Sequence, residues 1–225
     1  MNTTATPVWG TKGFSFWTFL SLLLLQAKPR CIVELGSGRS TITLGEYAKA
    51  AQSTFVSIET DPFWLNKARL ELRAIGLPER QVQLVAIDAN SGWYQAQQFD
   101  EAVDGLPEVD LLFVDAPNDR SGCSQGMRDS PVGLQRIKAL AASTDLLIID
   151  DTHRRHVLDT VNQLLSEPGQ FNKFFYRYAV VTNYPNSLCI CARKGSKAEQ
   201  AVTAAARLLN LHFANEYDRE NCPEP

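Results

Sequence analysis

The sequence predicts an α/β fold: one doubly wound sheet of seven strands, mostly parallel, with an antiparallel last strand and a helix added at each end. Three observations carry this. From residue 30 onward, short apolar runs alternate with segments of helical periodicity. Two of those runs, Leu111–Val114 (LLFV) and Leu146–Ile149 (LLII), are apolar throughout, as central parallel strands covered on both faces are. Two later β-rich runs, Phe174–Thr182 and Ser187–Arg193, are linked by Asn183-Tyr184-Pro185-Asn186, too short for anything but an antiparallel pair.

At 225 residues the chain is read as a single domain over 1–225, with a core over about 28–193. Hydrophobic residues make up 44% and charged residues 21%, which excludes a disordered chain. Lys and Arg number 22 and Asp and Glu 25, so the net charge is 22 − 25 = −3. That balance argues against nucleic acid or an anionic membrane as a partner.

The elements follow in order. Phe14–Leu25 is a dozen-residue apolar run behind Lys12. It is too short to span a bilayer as a helix. It has the look of a signal peptide's apolar region, with Leu25-Gln26-Ala27 as a tolerable cleavage site, but the next strand would then leave almost no mature N-terminus. A buried helix over 13–27 in a cytoplasmic protein is the expectation. Cys31–Leu35 is the first strand. Ser40 can cap a helix with Leu44, Tyr47, Ala48 and Ala51 inward. Thr54–Ile58 is the second strand. Asp61-Pro62 then starts a helix with Trp64, Ala68, Leu72 and Ile75 on one face, ended by Gly76. Val82–Ile87 is the third strand, and a polar stretch Asp100–Asp110 precedes the fourth.

Between the fourth and fifth strands lies a polar loop, Ala116–Pro131, followed by a helix over Val132–Ala142. Arg155–Leu165 is the next helix, with Val157, Val161, Leu164 and Leu165 inward. A last helix over 197–211 sets Ala198, Ala201, Val202, Ala205, Leu208 and Leu209 on one face. Cys31, Cys123, Cys189, Cys191 and Cys222 form no CxxC pair and cannot all pair with one another, which argues against a zinc ribbon and a disulfide scaffold. Cys189 and Cys191 share a strand face and read as reduced core residues.

The most specific stretch is Val33-Glu34-Leu35-Gly36-Ser37-Gly38-Arg39-Ser40-Thr41, which joins a strand to a helix. Glycines there let the backbone bend and approach a ligand, and the helix offers free N–H groups. Glu59 ends the next strand, where an acid accepts hydrogen bonds from ribose hydroxyls. A dinucleotide site wants a small residue at position 41, where this chain has Thr41.

At these residues the chain resembles the class I methyltransferases that use S-adenosylmethionine, through their E-x-G-x-G motif (Glu34, Gly36, Gly38) and their acid at the end of strand two (Glu59). The resemblance covers about residues 13–193. It implies that Glu34 faces the methionine amino group. It also puts Gly36, Ser37, Gly38 and Ser40 along the cofactor, Glu59 on the ribose and Asp88 near the adenine amino group. The helix after Lys194 is an addition to the family core, placed to cover the sheet or to form a homodimer contact.

In doubly wound folds ligands sit beyond the carboxyl ends of the strands. Asp115 ends the fourth strand there, and Asp150 and Asp151 end the fifth. Three carboxylates at one edge call for a cation or for a raised pKa. The stretch Phe113-Val114-Asp115-Ala116 with Asp150-Asp151 resembles the catechol- and caffeoyl-type O-methyltransferases, which hold a magnesium ion with an Asp and an Asp-Asn pair. Asp151 stands in place of the Asn, and the family's Lys after the Ala is missing. That resemblance implies Mg2+ on Asp115, Asp150 and Asp151.

The other functional reading makes Asp115, Asp151 or His153 a general base. Asp150 and Asp151 can also simply cap a helix near Thr152 and anchor Arg154 or Arg155. Arg120 and Arg128 in the long loop are candidates to receive an acidic substrate. Trp9, Phe14, Phe16, Trp17 and Phe19 read as acceptor-pocket lining or as core. The expected activity is methyl transfer to a small-molecule acceptor, at oxygen. A non-catalytic cofactor-binding module that serves a protein partner is the alternative, ahead of an aminopropyl-transfer enzyme or a NAD-linked oxidoreductase.

Overall fold

A computed structural model describes residues 16–116, 130–152, 154–165, 170–179, 185–209 and 211. Its elements run α1 (Phe16–Ala27), β1 (Cys31–Leu35), α2 (Arg39–Ala51), β2 (Thr54–Glu59), α3 (Pro62–Ala74) and, after a short 3-10 turn, β3 (Val82–Leu84). There follow β4 (Ile87–Asp88), β5 (Trp93–Tyr94), α4 (Ala96–Val103), β6 (Leu111–Val114), α5 (Pro131–Ala141) and β7 (Leu146–Ile149). The chain continues through α6 (Arg155–Leu164), β8 (Phe171–Ala179), β9 (Pro185–Arg193) and α7 (Lys197–Leu208).

Seven strands form one sheet in the order β3-β2-β1-β6-β7-β9-β8. The pairs from β3 to β7 are parallel, and β9 runs antiparallel to both β7 and β8. The expected fold class is therefore observed. The order reverses between β1 and β6, so the crevice at their carboxyl ends is the place where such a sheet takes a ligand.

Alternation along the strands separates two cores. Ile32, Phe55, Phe113, Ile148 and Ile190 face α1, α2, α3 and α7. Val33, Ile58, Val114, Ile149, Cys189 and Cys191 face α4, α5 and α6. Cys189 and Cys191 are fully buried thiols with their sulfurs 3.5 Å apart, as read from their spacing. The α1 helix is the buried element expected: Phe16, Phe19, Leu20, Leu23 and Leu24 pack into the first core beside α7. Among the described residues no helix is long and apolar enough to cross a membrane.

Helix ends follow local chemistry. Asp61 accepts from the Phe63 N–H at 2.8 Å and Pro62 opens α3. Gly76, at φ +75°, closes it with two bonds, Gly76 N–H to Arg73 C=O and Leu77 N–H to Leu72 C=O.

Four readings are corrected. The third strand stops at Leu84, because β2 ends at Glu59 and offers Ile87 no partner; Ile87–Asp88 instead pairs antiparallel with Trp93–Tyr94. A helix, α4, occupies Ala96–Val103 on the strength of two buried residues, Phe99 and Ala102. β8 begins earlier, at Phe171, because β9 pairs with it as far as Arg193. Ala51 and Leu208, both expected inward, are exposed at the ends of α2 and α7.

Candidate functional site

The turn after β1 is held against both neighbouring strands. The Gly36 N–H donates to the Ile58 C=O at 2.8 Å, and the Leu35 C=O accepts from both Asp115 and Ala116 N–H at 2.8 Å. Gly36 has φ +93°, and a Cβ built there would lie 2.5 Å from the Ala116 Cβ. Only glycine fits this close approach. At Gly38 a Cβ would meet nothing within 4 Å, so the second glycine borders open space.

Glu34 lies under α2 with no exposed surface. Its Oε2 accepts from the Thr41 hydroxyl at 2.7 Å and from the Ser57 hydroxyl at 2.6 Å. Thr41 in turn accepts from the Gly38 N–H at 2.8 Å. Glu34 Oε1 has no hydrogen-bond partner among the described residues. Burial pushes its carboxyl up to about 7; hydroxyls of Ser40, Ser57 and Thr41 pull it back, and nearby Glu59 adds a smaller upward push.

Glu59 is its counterpart on β2, also buried. Its Oε2 accepts from the Ser37 N–H at 2.7 Å and the Ser37 hydroxyl at 2.8 Å. Its Oε1 accepts from the N–H groups of Thr60 at 2.7 Å and Asp61 at 2.9 Å. The carboxylate's four acceptor positions are thus taken by the turn it anchors.

Asp88 ends β4, at the turn into β5, where the Asn90 N–H donates to it at 3.0 Å. That bond, helped by the Ser91 hydroxyl, holds its carboxyl below the usual range. Asp115 follows β6 directly beside Gly36.

The end of β7 bears out the expected anchoring of Arg154 by an acid, but not the expected helix cap. Asp150 accepts from the Asp151 N–H at 2.7 Å. Asp151 has φ +62°, is nearly buried, and meets the Arg154 guanidinium at 3.3 Å. Neither acid caps α6, which starts only at Arg155. Left-handed backbone at Asp151 turns the chain before a helix can begin. Among the described residues no three His, Cys, Asp or Glu side chains are grouped to hold a metal ion, so Asp115, Asp150 and Asp151 are not brought together as the Mg2+ reading requires. His153, Arg120, Arg128, Trp9 and Phe14 lie outside the described residues. Phe16 and Phe19 are core residues, packed on the Tyr176 ring at 5.8 and 5.6 Å between centroids.

Sequence reasoning missed the roles of Thr41 and Ser57. Thr41 figures there only as a departure from a dinucleotide motif. The available signal for Ser57 was a hydroxyl between apolar residues of a strand, directly opposite a buried acid on the next strand.

No protein-family model and no curated protein matches the sequence. Solved structures do. Cofactor-bound Rv0187 from MTB matches with a TM-score of 0.55 at 18% identity, over 82% of this chain and 83% of that one. The O-methyltransferase from Bacillus cereus in complex with SAH gives 0.55 at 15% identity, over 81% and 84%. Human methyltransferase-like protein 13 in complex with SAH gives 0.51 at 16% identity, over 91% and 93%. At such identities the likeness is one of architecture, and it agrees with the strand order and the glycine turn: the chain has the fold of the class I methyltransferases.

Proposed function

We propose that the chain is an S-adenosylmethionine-dependent methyltransferase acting on a small-molecule acceptor at oxygen. The observation that carries this is the pair of buried acids, Glu34 and Glu59, flanking a glycine turn at the switch point of a methyltransferase fold. The residues fit the cofactor. Among the described residues Glu34 keeps one oxygen without a partner for an ammonium group, and nothing lies within 4 Å of a Cβ at Gly38. Glu59 would take ribose hydroxyls once the Ser37 hydroxyl rotates away, and Asp88 would sit at the adenine side. When bound, S-adenosylmethionine supplies an electrophilic methyl group to an acceptor held in line with it.

Asp115, beside the turn, is the residue proposed to orient the acceptor and take its proton. Asp151 holds Arg154. Among the described residues Asp115, Asp150 and Asp151 form no group that fits a magnesium ion. The oxygen acceptor is supported by the Bacillus cereus O-methyltransferase among the similar structures. The non-catalytic reading is favoured by one observation, the engagement of Asp151 with Arg154.

Thermal unfolding with S-adenosylmethionine, S-adenosylhomocysteine or NAD tests the cofactor. A ligand at 100 times its Kd stabilises by about 2.7 kcal/mol, which moves the midpoint by several degrees. The two sulfur ligands should raise it and Glu59→Ala should abolish the rise; a rise with NAD alone overturns the reading. Transfer of labelled methyl to a panel of hydroxyl-bearing small molecules tests the activity. Binding without transfer across the panel favours the non-catalytic reading.

A further inference from the structure

We propose that Thr41 and Ser57 are positioning residues for a cationic ligand: their hydroxyls hold one oxygen of Glu34 and reserve the other for that cation. The inference rests on the cofactor reading and adds to it the residues that make the ammonium end of the ligand recognisable.

The geometry is asymmetric. The two hydroxyls within bonding distance, Thr41 and Ser57, converge on Oε2 at 2.7 and 2.6 Å, the Ser40 hydroxyl stands close enough to pull the carboxyl down, and among the described residues none is bonded to Oε1. The Thr41 proton is committed to Glu34, because the same hydroxyl accepts the Gly38 N–H. Thr41 therefore couples the open side of the glycine turn to the buried acid. Ser57 donates from the position directly opposite on β2.

A fully buried carboxyl oxygen without a partner is costly in either protonation state. Among the described residues the groups around it supply no cation. From α2 come the hydroxyls of Ser40 and Thr41, from β2 Ser57 and the like-charged Glu59, and from β6 the apolar Phe113. The complement missing among the described residues is a positively charged donor, and a cationic ligand would supply it.

The test compares two ligands that share the adenosine and thioether. S-Adenosylhomocysteine has the amino-acid end, and 5′-methylthioadenosine lacks it. Calorimetric titration uses the whole chain as wild type, Thr41→Val, Thr41→Ser and Ser57→Ala. Thr41→Val and Ser57→Ala should each weaken S-adenosylhomocysteine about tenfold or more and methylthioadenosine less than about twofold. Thr41→Ser should restore binding.

A second readout is the pH profile. Wild-type affinity for S-adenosylhomocysteine should rise with pH through about 7, as Glu34 loses its proton, while methylthioadenosine stays flat. Thr41→Val should move that midpoint upward, because a lost donor favours the neutral acid. Equal loss of both ligands, an unmoved midpoint or failure of the serine rescue overturns the inference while leaving the cofactor reading intact. If Thr41→Val does not fold, Ser57→Ala carries the same comparison. A wild type that binds neither ligand overturns both.

Discussion

Ser37 donates to Glu59 twice, from its N–H at 2.7 Å and its hydroxyl at 2.8 Å, and so ties the turn after β1 to the end of β2. The N–H bond is part of the turn's backbone. The hydroxyl bond is replaceable, since a serine side chain rotates freely between partners.

Ser37→Ala should therefore leave S-adenosylhomocysteine affinity unchanged or higher, because an acceptor position on Glu59 is opened. Glu59→Ala should remove binding and also destabilise the free protein by about 3 kcal/mol, since three N–H groups lose a charged acceptor. Calorimetric titration and urea denaturation of both variants check the contrast.

Stability should fall as pH rises through the range set by Glu34. Its carboxyl goes from an ordinary 4.5 up to about 7 in the folded chain. The native state then binds more protons than the unfolded state between those values, so the slope of unfolding free energy with pH is negative there. The contribution is fully present below 4.5, declines towards about 7, and is gone above it. Its size is about 3 kcal/mol. Urea denaturation at intervals from pH 4 to 8 should show this decline in the wild type relative to Glu34→Gln; parallel curves would mean that Glu34 does not titrate this way.

The two glycines of the turn should separate stability from binding. Gly36→Ala places a Cβ 2.5 Å from Ala116 at φ +93°, and should cost about 2–3 kcal/mol or more. Gly38→Ala meets nothing within 4 Å at an extended φ of −174°, and should leave the melting temperature within a degree or two by the usual conversion of small energy changes. It should still weaken the cofactor, because the methyl group enters the space the ligand needs. Thermal melts with and without S-adenosylhomocysteine distinguish the two.

Asp151→Asn should change stability by less than about 1 kcal/mol, since the Arg154 pair is partly exposed and asparagine tolerates the left-handed backbone. Asp115→Asn should leave cofactor binding intact and cut methyl transfer about 10²–10⁴-fold. A large loss with Asp151→Asn and none with Asp115→Asn would exchange the two roles. Initial rates at saturating cofactor decide it.

The legible parts of the fold were those where one physical rule dominates. β6 and β7 are buried on both faces, so LLFV and LLII identify themselves. The same holds for the Asp61-Pro62 start and Gly76 end of α3. β3 was misread because VQLVAI is apolar enough for six residues of strand, whereas its length is set by where β2 ends. α4 escaped notice because Gln95–Asp100 is polar and only Phe99 and Ala102 face the core. At the site, Glu34, Gly36 and Glu59 were visible as a spaced motif. The hydroxyls that hold Glu34 were not, because Thr41 and Ser57 meet it only through the pairing of β1 with β2 and the docking of α2.

The seam between β1 and β6 has a kinetic meaning. Cys31 and Asp110, bonded at its foot, are 79 residues apart, and the contact of Gly36 with Ala116 lies at its head. Closing so long a loop is slow, and neither strand can fix the turn alone. During synthesis the β6 wall of the turn, with Asp115 and Ala116, is therefore missing until β6 has left the ribosome, although both acids and both glycines were made long before. A cofactor present in the cell would capture the chain at that late step and act as a brake on its reopening.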